Sequence, residues 1–199
     1  MVAERVRKIG FWAGCLVLAA VGLACAAPGA PKQAFENFVR REGDVLKDGA
    51  REFRFLSFNI PNLHYVEDDM RFDCRMPFRL PDAFEIDDAL GAIEQMGGQV
   101  VRTYTLAVKK ADDPPDLPRY ILGPGQFHEE AFRALDQVIA AAHRHRVRLI
   151  IPFVDQWSWW GGTAELAAFR SKKPDEVWTD PQLIEDFKSI VTFVVNRVN

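Results

Sequence analysis

The chain has 199 residues and a formal net charge of −3; 48% of its residues are hydrophobic and 27% are charged. This balance is typical of a folded globular domain. It offers no basic surface for nucleic acid, which we exclude as a partner. Cys15 and Cys25 lie in the N-terminal apolar segment and Cys74 is the third cysteine, so neither an internal disulfide nor a cysteine-based zinc site is expected in the mature chain.

The N-terminal residues have the pattern of a signal peptide. A basic start precedes residues 11–27, which are almost wholly apolar. This run is shorter than the ~20 residues that cross a membrane. We therefore expect a leader over residues 1–26, a linker over residues 27–36 and a secreted or periplasmic mature protein. A retained anchor helix and lipidation of Cys25 are the alternatives, and a membrane is an expected partner only if Cys25 carries a lipid.

The first predicted elements of the mature chain are a small hairpin, a strand and a helix. The hairpin covers residues 38–53, with its turn at Asp48-Gly49. A strand follows over residues 53–58. Apolar residues then recur at helical spacing over residues 86–96, and a glycine pair ends that helix.

Strands and helices continue to alternate in the second half of the chain. Residues 100–104 predict a short strand, and residues 129–146 predict a second amphipathic helix. Residues 147–154 are nearly all apolar, as in a strand that is covered on both faces. Asp180 has the character of a helix N-cap before a proline. The apolar pattern of that last helix is still running at the final residue, which leads us to expect further sequence downstream.

This alternation predicts a parallel sheet with helical crossovers, which a doubly wound fold and an eight-stranded barrel both contain. A doubly wound nucleotide-binding fold has a glycine-rich turn after its first strand, whereas residues 57–62 contain no glycine. We therefore predict the α/β class and, over residues 37–199, the N-terminal part of a (β/α)8 TIM barrel with about three βα units. The long loop over residues 109–126 is rich in proline and glycine, and such loops are often functional.

Several of these segments resemble glycoside hydrolase family 5, most closely its endo-β-mannanase-like branch. The resemblance extends over nearly all of the predicted mature chain. In chain order, the segments are residues 38–49 as the opening hairpin, 55–59 as the first barrel strand, 100–103 as the second-strand motif, 155–162 as the aromatic loop after strand three, and 178–199 as the stretch that leads to strand four.

The resemblance implies an exported enzyme that hydrolyses β-1,4-glycosidic bonds in polysaccharides, of the mannan endo-1,4-β-mannosidase type and without a cofactor. Its retaining mechanism uses two glutamates ~5 Å apart, after strands four and seven. Both lie beyond this sequence, so the chain alone is expected to be inactive. The expected partner is β-mannan or another β-glycan. A non-catalytic carbohydrate-binding protein, a degenerate relative, and another activity on the same fold are the alternatives. The sequence does not specify the oligomeric state.

Arg102 is the first candidate site residue. It lies between apolar residues of the second predicted strand, where an unpaired guanidinium is costly to bury. The family has an arginine here beside the nucleophile, where a cation keeps that carboxylate ionised. The resemblance therefore implies that Arg102 supports catalysis, and a purely structural ion pair is the alternative.

The polar and aromatic residues after the third strand form the second candidate. A sugar has an apolar face of C–H groups and a rim of hydroxyls, which an indole ring and polar side chains can contact together. We predict that Asp155, Gln156, Trp157 and Trp160 bind substrate, and Trp157 comes first because it lies on the family's loop position. Core packing is the alternative for the tryptophans.

Two further candidates follow the first two strands, because barrel enzymes carry their sites on loops at the carboxyl ends of strands. Asn59 follows strand one and Tyr104 follows strand two. Both can form hydrogen bonds with sugar hydroxyls. Turn formation by Asn59 and strand packing by Tyr104 are the alternatives.

No metal site is expected. His143 and His145 lie two residues apart near a helix end, where they do not share a face and where cations are stabilised in any case. The segment 64–69, which contains His64 and Glu67, is interpreted as a solvated acidic loop, with a cation site as the alternative.

Overall fold

Residues 35–68 and 78–198 are described in the computed structural model of the chain. The predicted leader and its cleavage site, the lipid acceptor Cys25 and the lone thiol of Cys74 all lie outside these residues. Within the described ranges, no helix combines the length and the apolar character that a membrane span requires.

The described chain is an α/β structure with short strands and four α-helices. The strands are β1 (Val39–Glu42), β2 (Val45–Asp48), β3 (Arg51–Glu52), β4 (Ser57–Asn59), β5 (Val66–Glu67), β6 (Phe78–Arg79), β7 (Val100–Arg102), β8 (Ile121–Gly123), β9 (Gln126–Phe127) and β10 (Arg148–Ile150). The helices are α1 (Ala83–Gln95), α2 (Glu129–Arg144), α3 (Thr163–Ala168) and α4 (Pro181–Val195), with 3₁₀ turns at Pro61–Leu63 and Pro174–Glu176.

A three-stranded parallel sheet in the order β10-β7-β4 organises the fold. Helix α1 connects β4 to β7, and α2 connects β7 to β10, so the predicted alternation of strands and helices is confirmed. Register places Asn59, Arg102 and Ile150 side by side at the carboxyl ends of the strands. The outer strands are shorter than predicted, because ladder pairing covers only three residues of each.

An antiparallel sheet of β1, β2 and β3 precedes the parallel one. The sequence predicted a single hairpin with its turn at Asp48-Gly49, whereas the chain turns twice, at Gly43 as well as at Gly49. Arg148 at the start of β10 donates a hydrogen bond to the Asp48 carboxylate at 2.8 Å. This sheet therefore lies beside the amino end of β10, away from the strand ends where barrel sites form.

The helices begin and end where local side-chain chemistry predicts. Asp82 and Glu85 form a reciprocal capping box that starts α1. Helix α1 ends before Gly97, as predicted from the glycine pair. The Asp180 carboxylate accepts hydrogen bonds from two backbone N–H groups of α4, which confirms it as an N-cap.

Three groups of buried side chains hold these elements together, and the smallest of them consists of Ala167, Val177 and Leu183. The other two position the parallel sheet. One lies between α1, α2 and the parallel sheet and contains only aliphatic residues among its buried members. The other, called the aromatic cluster below, consists of Tyr65, Phe78, Tyr120, Phe132 and Trp160, whose rings meet mostly edge to face. Burial of each large side chain stabilises the fold by about 1.5–3 kcal/mol, so this cluster is a rigid support for the chain around it.

Candidate functional site

Asn59 and Arg102 occupy neighbouring strand ends. They are register partners at the last positions of β4 and β7, and both residues are exposed. Among the described residues, no hydrogen bond or ion pair engages the Arg102 guanidinium. As expected from its place in the strand, Arg102 lies between two buried residues, Val101 and Thr103, and its own side chain reaches solvent at the end of β7. The guanidinium is therefore exposed at this edge of the described structure.

Tyr104 and Asp155 meet at the same edge. The Tyr104 hydroxyl donates a hydrogen bond to Asp155 Oδ2, although 51 residues separate them in sequence. Burial, followed by the bond to Asp155, raises the pKa of Tyr104 to about 12, while the cation of Arg102 works in the opposite direction. The phenol therefore stays protonated at neutral pH. Arg102 is near enough to Tyr104 to act on it electrostatically, so these three predicted residues form one group.

Residues 155–160 are called the tryptophan loop. This loop lies against the segment that follows β7 and contains Val108. The Val108 N–H donates to the Trp160 carbonyl at 2.9 Å, and the Thr163 N–H donates to the Asp155 carbonyl at 2.8 Å. A side chain at Gly161, where φ is +78°, would overlap the Val108 carbonyl. The loop therefore closes tightly on its neighbours, and this explains the glycine pair that follows it.

The three tryptophans of this loop have different surroundings. Trp157 is 69% exposed and Trp160 is 1% exposed. Trp159 is half-buried, and its indole N–H donates to Glu67 at 3.0 Å. Gln156 is exposed beside Trp157. Trp157 and Gln156 are thus both open to solvent, and their contact with a sugar stays a prediction.

The prediction that Trp160 contacts substrate requires correction. Its indole packs edge to face on Tyr104 at 4.8 Å and on Tyr65 at 4.9 Å, inside the aromatic cluster. A ring enclosed on its faces offers no surface to a saccharide. Trp160 instead supports the Tyr104 ring from beneath, and the sequence alternative of core packing holds for it.

His64 forms a buried hydrogen-bond network under the site. Its Nε2–H donates to the Tyr104 carbonyl at 3.1 Å, and the Tyr120 hydroxyl lies 3.1 Å from Nδ1 and donates to the His64 carbonyl at 2.9 Å. Burial lowers the pKa of His64 to about 4, against the raising effect of its backbone hydrogen bonds. The imidazole is therefore neutral at pH 7, and it fixes the backbone at Tyr104.

The interpretation of residues 64–69 as a solvated acidic loop is wrong for part of the segment. His64 is fully buried and Glu67 is 7% exposed, because the chain runs back under the tryptophan loop after the first 3₁₀ turn. Asp68 is exposed and pairs with Arg79 at 2.7 Å, and Asp69 lies outside the described residues. Within residues 35–68 and 78–198, no group of three or more histidine, cysteine or carboxylate side chains could hold a metal ion.

The stretch predicted as a long loop over residues 109–126 contains strand β8 and the first residue of β9. Its proline-rich part, residues 109–120, is anchored by a buried ion pair. Arg119 and Asp113 have side chains 3% and 6% exposed and are joined by hydrogen bonds of 2.8 and 2.9 Å. A third donor of Arg119 reaches the Trp160 carbonyl at 3.0 Å. Sequence reasoning missed this pair. The available signal was an arginine and an aspartate of opposite charge six residues apart in one loop.

Comparison with known proteins places this geometry in a family context. No family model matches the chain. It is 37% identical over 124 residues to mannan endo-1,4-β-mannosidase 1 of Solanum lycopersicum, a match that covers 59% of this chain. Its fold matches the endo-β-1,4-mannanase of Thermotoga petrophila, with a TM-score of 0.61, 25% identity and 76% of this chain covered. It also matches a glycoside hydrolase family 5 mannosidase from Rhizomucor miehei, with a TM-score of 0.63, 18% identity and 83% covered.

The described chain therefore matches part of the α/β fold of these solved structures. It is homologous to mannan endo-1,4-β-mannosidases, and its structural neighbours include family 5 mannosidases, as the resemblance predicted. The matched part spans 30% of the tomato sequence and 31% and 43% of the two solved structures, so this chain corresponds to less than half the length of the relatives that it matches.

Proposed function

We propose that the complete protein is an exported glycoside hydrolase that cleaves internal β-1,4 bonds of mannan with retention of configuration. In this proposal the described residues form the N-terminal part of a (β/α)8 barrel and supply one wall of the substrate cleft. Homology to mannan endo-1,4-β-mannosidases supports the proposal, as does the fold shared with mannanases of solved structure.

One observation carries the proposal for the site itself. The exposed cation of Arg102, the Tyr104–Asp155 pair and the tryptophan loop with its exposed Trp157 all follow carboxyl ends of the parallel sheet. Ligands of such sheets bind at this edge. A flat indole beside carboxylate, amide and guanidinium groups suits a sugar, which has an apolar face and a hydroxyl rim.

Each residue of the group has a distinct role in the proposal. Trp157 stacks on the apolar face of a sugar ring, and Gln156 and Asn59 hydrogen-bond to hydroxyl groups. Asp155 accepts from a hydroxyl, while Tyr104 holds that carboxylate in place through its own hydrogen bond. Arg102 lies beside the nucleophilic glutamate of the complete enzyme and keeps it ionised.

The test is hydrolysis by the protein expressed from the full open reading frame. We expect release of manno-oligosaccharides from β-1,4-mannan, slower or no release from cellulose, and the β anomer as the first product in proton NMR. Arg102→Met should lower kcat/KM by at least about 100-fold, a loss of ~2.7 kcal/mol of transition-state stabilisation, with unchanged thermal stability.

Two results would count against this proposal. If the soluble, folded protein does not hydrolyse mannan, the proposed mannanase activity is wrong. Binding of manno-oligosaccharides without hydrolysis would favour a non-catalytic carbohydrate-binding protein, in which the same strand-end residues bind glycan.

A further inference from the structure

The carboxylate of Glu67 is unusual because it is buried and only half satisfied. The residue is 7% exposed, and its Oε2 accepts the indole N–H of Trp159 at 3.0 Å. The other oxygen, Oε1, is buried and has no hydrogen-bond partner among residues 35–68 and 78–198. Burial of a carboxylate costs free energy, and the single hydrogen bond from Trp159 offsets only part of that cost.

The contact joins two segments that are far apart in sequence. Glu67 belongs to β5, which pairs with β6 as an antiparallel neighbour and has Glu67 opposite Phe78. Trp159 lies 92 residues later, in the tryptophan loop. The hydrogen bond therefore connects the loop after the first parallel strand to the loop after the third.

Several side chains anchor the tryptophan loop, and Arg119 and Glu67 are two of them. At its start, Asp155 accepts from Tyr104. At its end, Trp160 is buried in the aromatic cluster. Glu67 holds Trp159 between these ends, so the exposed stretch that carries Trp157 spans only residues 156–158.

We propose that Glu67 is a positioning residue, which fixes the tryptophan loop through Trp159 so that Trp157 is held ready to stack on a sugar. The carboxylate is buried and does not touch the sugar. It acts by lowering the conformational freedom of the loop before binding, because a preorganised surface loses less entropy when a ligand orders it. The sugar-binding part of this inference depends on the proposed function, whereas the loop-ordering part does not.

Two substitutions separate the hydrogen bond from the charge. Glu67→Gln keeps the shape and one acceptor oxygen for the Trp159 indole, whereas Glu67→Leu keeps the volume and removes the acceptor. Glu130→Leu, at an exposed position of α2, is the matched control. Indole ¹⁵N–¹H spectra report hydrogen exchange at Trp159 and nanosecond mobility at Trp157. Isothermal titration calorimetry with thio-linked mannohexaose, which a glycoside hydrolase does not cleave, reports affinity.

We expect Glu67→Leu to speed exchange at the Trp159 indole, to increase the mobility of Trp157 and to weaken mannohexaose binding by about tenfold. Glu67→Gln should restore all three to near the parent values, and Glu130→Leu should change none of them. A rigid Trp157 in Glu67→Leu would overturn the inference, as would full affinity despite a mobile Trp157. If the parent protein does not bind mannohexaose while Trp157 mobility still depends on residue 67, the proposed function fails and the ordering role of Glu67 stands.

Discussion

Two arginines show how the interior of this protein differs from its strand-end site. Arg119 is buried, bonded twice to Asp113 and once to the Trp160 carbonyl. Arg102 is exposed at the end of β7 and has no partner among the described residues. A guanidinium whose donors are satisfied inside the protein stabilises the fold, whereas one left open at a strand end is available to a ligand. The same contrast separates buried Trp160 from exposed Trp157.

The largest expected effect is on the buried ion pair. Arg119→Met should lower the free energy of unfolding by about 3–5 kcal/mol, because it leaves the Asp113 carboxylate buried without a countercharge. Arg102→Met should change it by less than ~0.5 kcal/mol. Urea denaturation measures both. Equal losses of unfolding free energy in the two variants would contradict the different roles assigned to the two arginines.

The tryptophans give a parallel test. Trp160→Ala should lower the free energy of unfolding by about 3–5 kcal/mol, since it opens a cavity in the aromatic cluster. Trp157→Ala should change the free energy of unfolding by less than about 0.5 kcal/mol, because its ring is mostly in solvent. Thermal melts of the two variants measure the difference. A strong destabilisation by Trp157→Ala would show that this ring belongs to the core.

The buried imidazole of His64 should make the free energy of unfolding fall at acidic pH. Its folded pKa of about 4 lies below the ordinary value of 6.5, so the unfolded chain takes up the proton first as the pH falls. The stabilisation is complete above pH 6.5 and declines toward pH 4, by about 3 kcal/mol in total. His64→Gln keeps a donor and an acceptor without titrating, so its unfolding free energy should depend less on pH over this range. An unchanged pH dependence in that variant would remove His64 as the cause.

His145 should have the opposite effect on the pH dependence of stability, and this effect should be the smallest. Partial burial tends to lower its pKa, but hydrogen bonds to Asp87 and Glu94 outweigh this and raise it. Its contribution to stability is therefore complete below pH 6.5 and is lost as the pH rises through the raised folded pKa. Melting temperatures of the parent and of His145→Gln between pH 6 and pH 8.5, chosen to bracket that range, should converge at the upper end. Convergence at the acidic end would contradict the sign.

The sequence predicted the sheet, its crossovers and the strand-end positions, because periodicity and helix caps are local signals. Asp180 was identified as an N-cap from its own side chain and the proline that follows. Burial was harder to predict, because it depends on contacts between distant segments. The sequence predicts a solvated Glu67, because nothing near this residue in the sequence indicates its contact with the distant Trp159. Trp160 is predicted to bind substrate because it shares a strand-end loop with Asp155 and Gln156, and the core packing that the structure shows depends on distant partners such as Tyr65.

The most direct test of the strand-end site is a calorimetric titration of thio-linked mannohexaose, which a glycoside hydrolase does not cleave, into the protein expressed from the full open reading frame and into its Trp157→Ala and Arg102→Met variants. The account predicts saturable binding by the parent and a loss of affinity of about tenfold or more in each variant, which is at least ~1.4 kcal/mol, with melting temperatures unchanged. Absence of binding by the parent, or equal affinity in all three proteins, would contradict it.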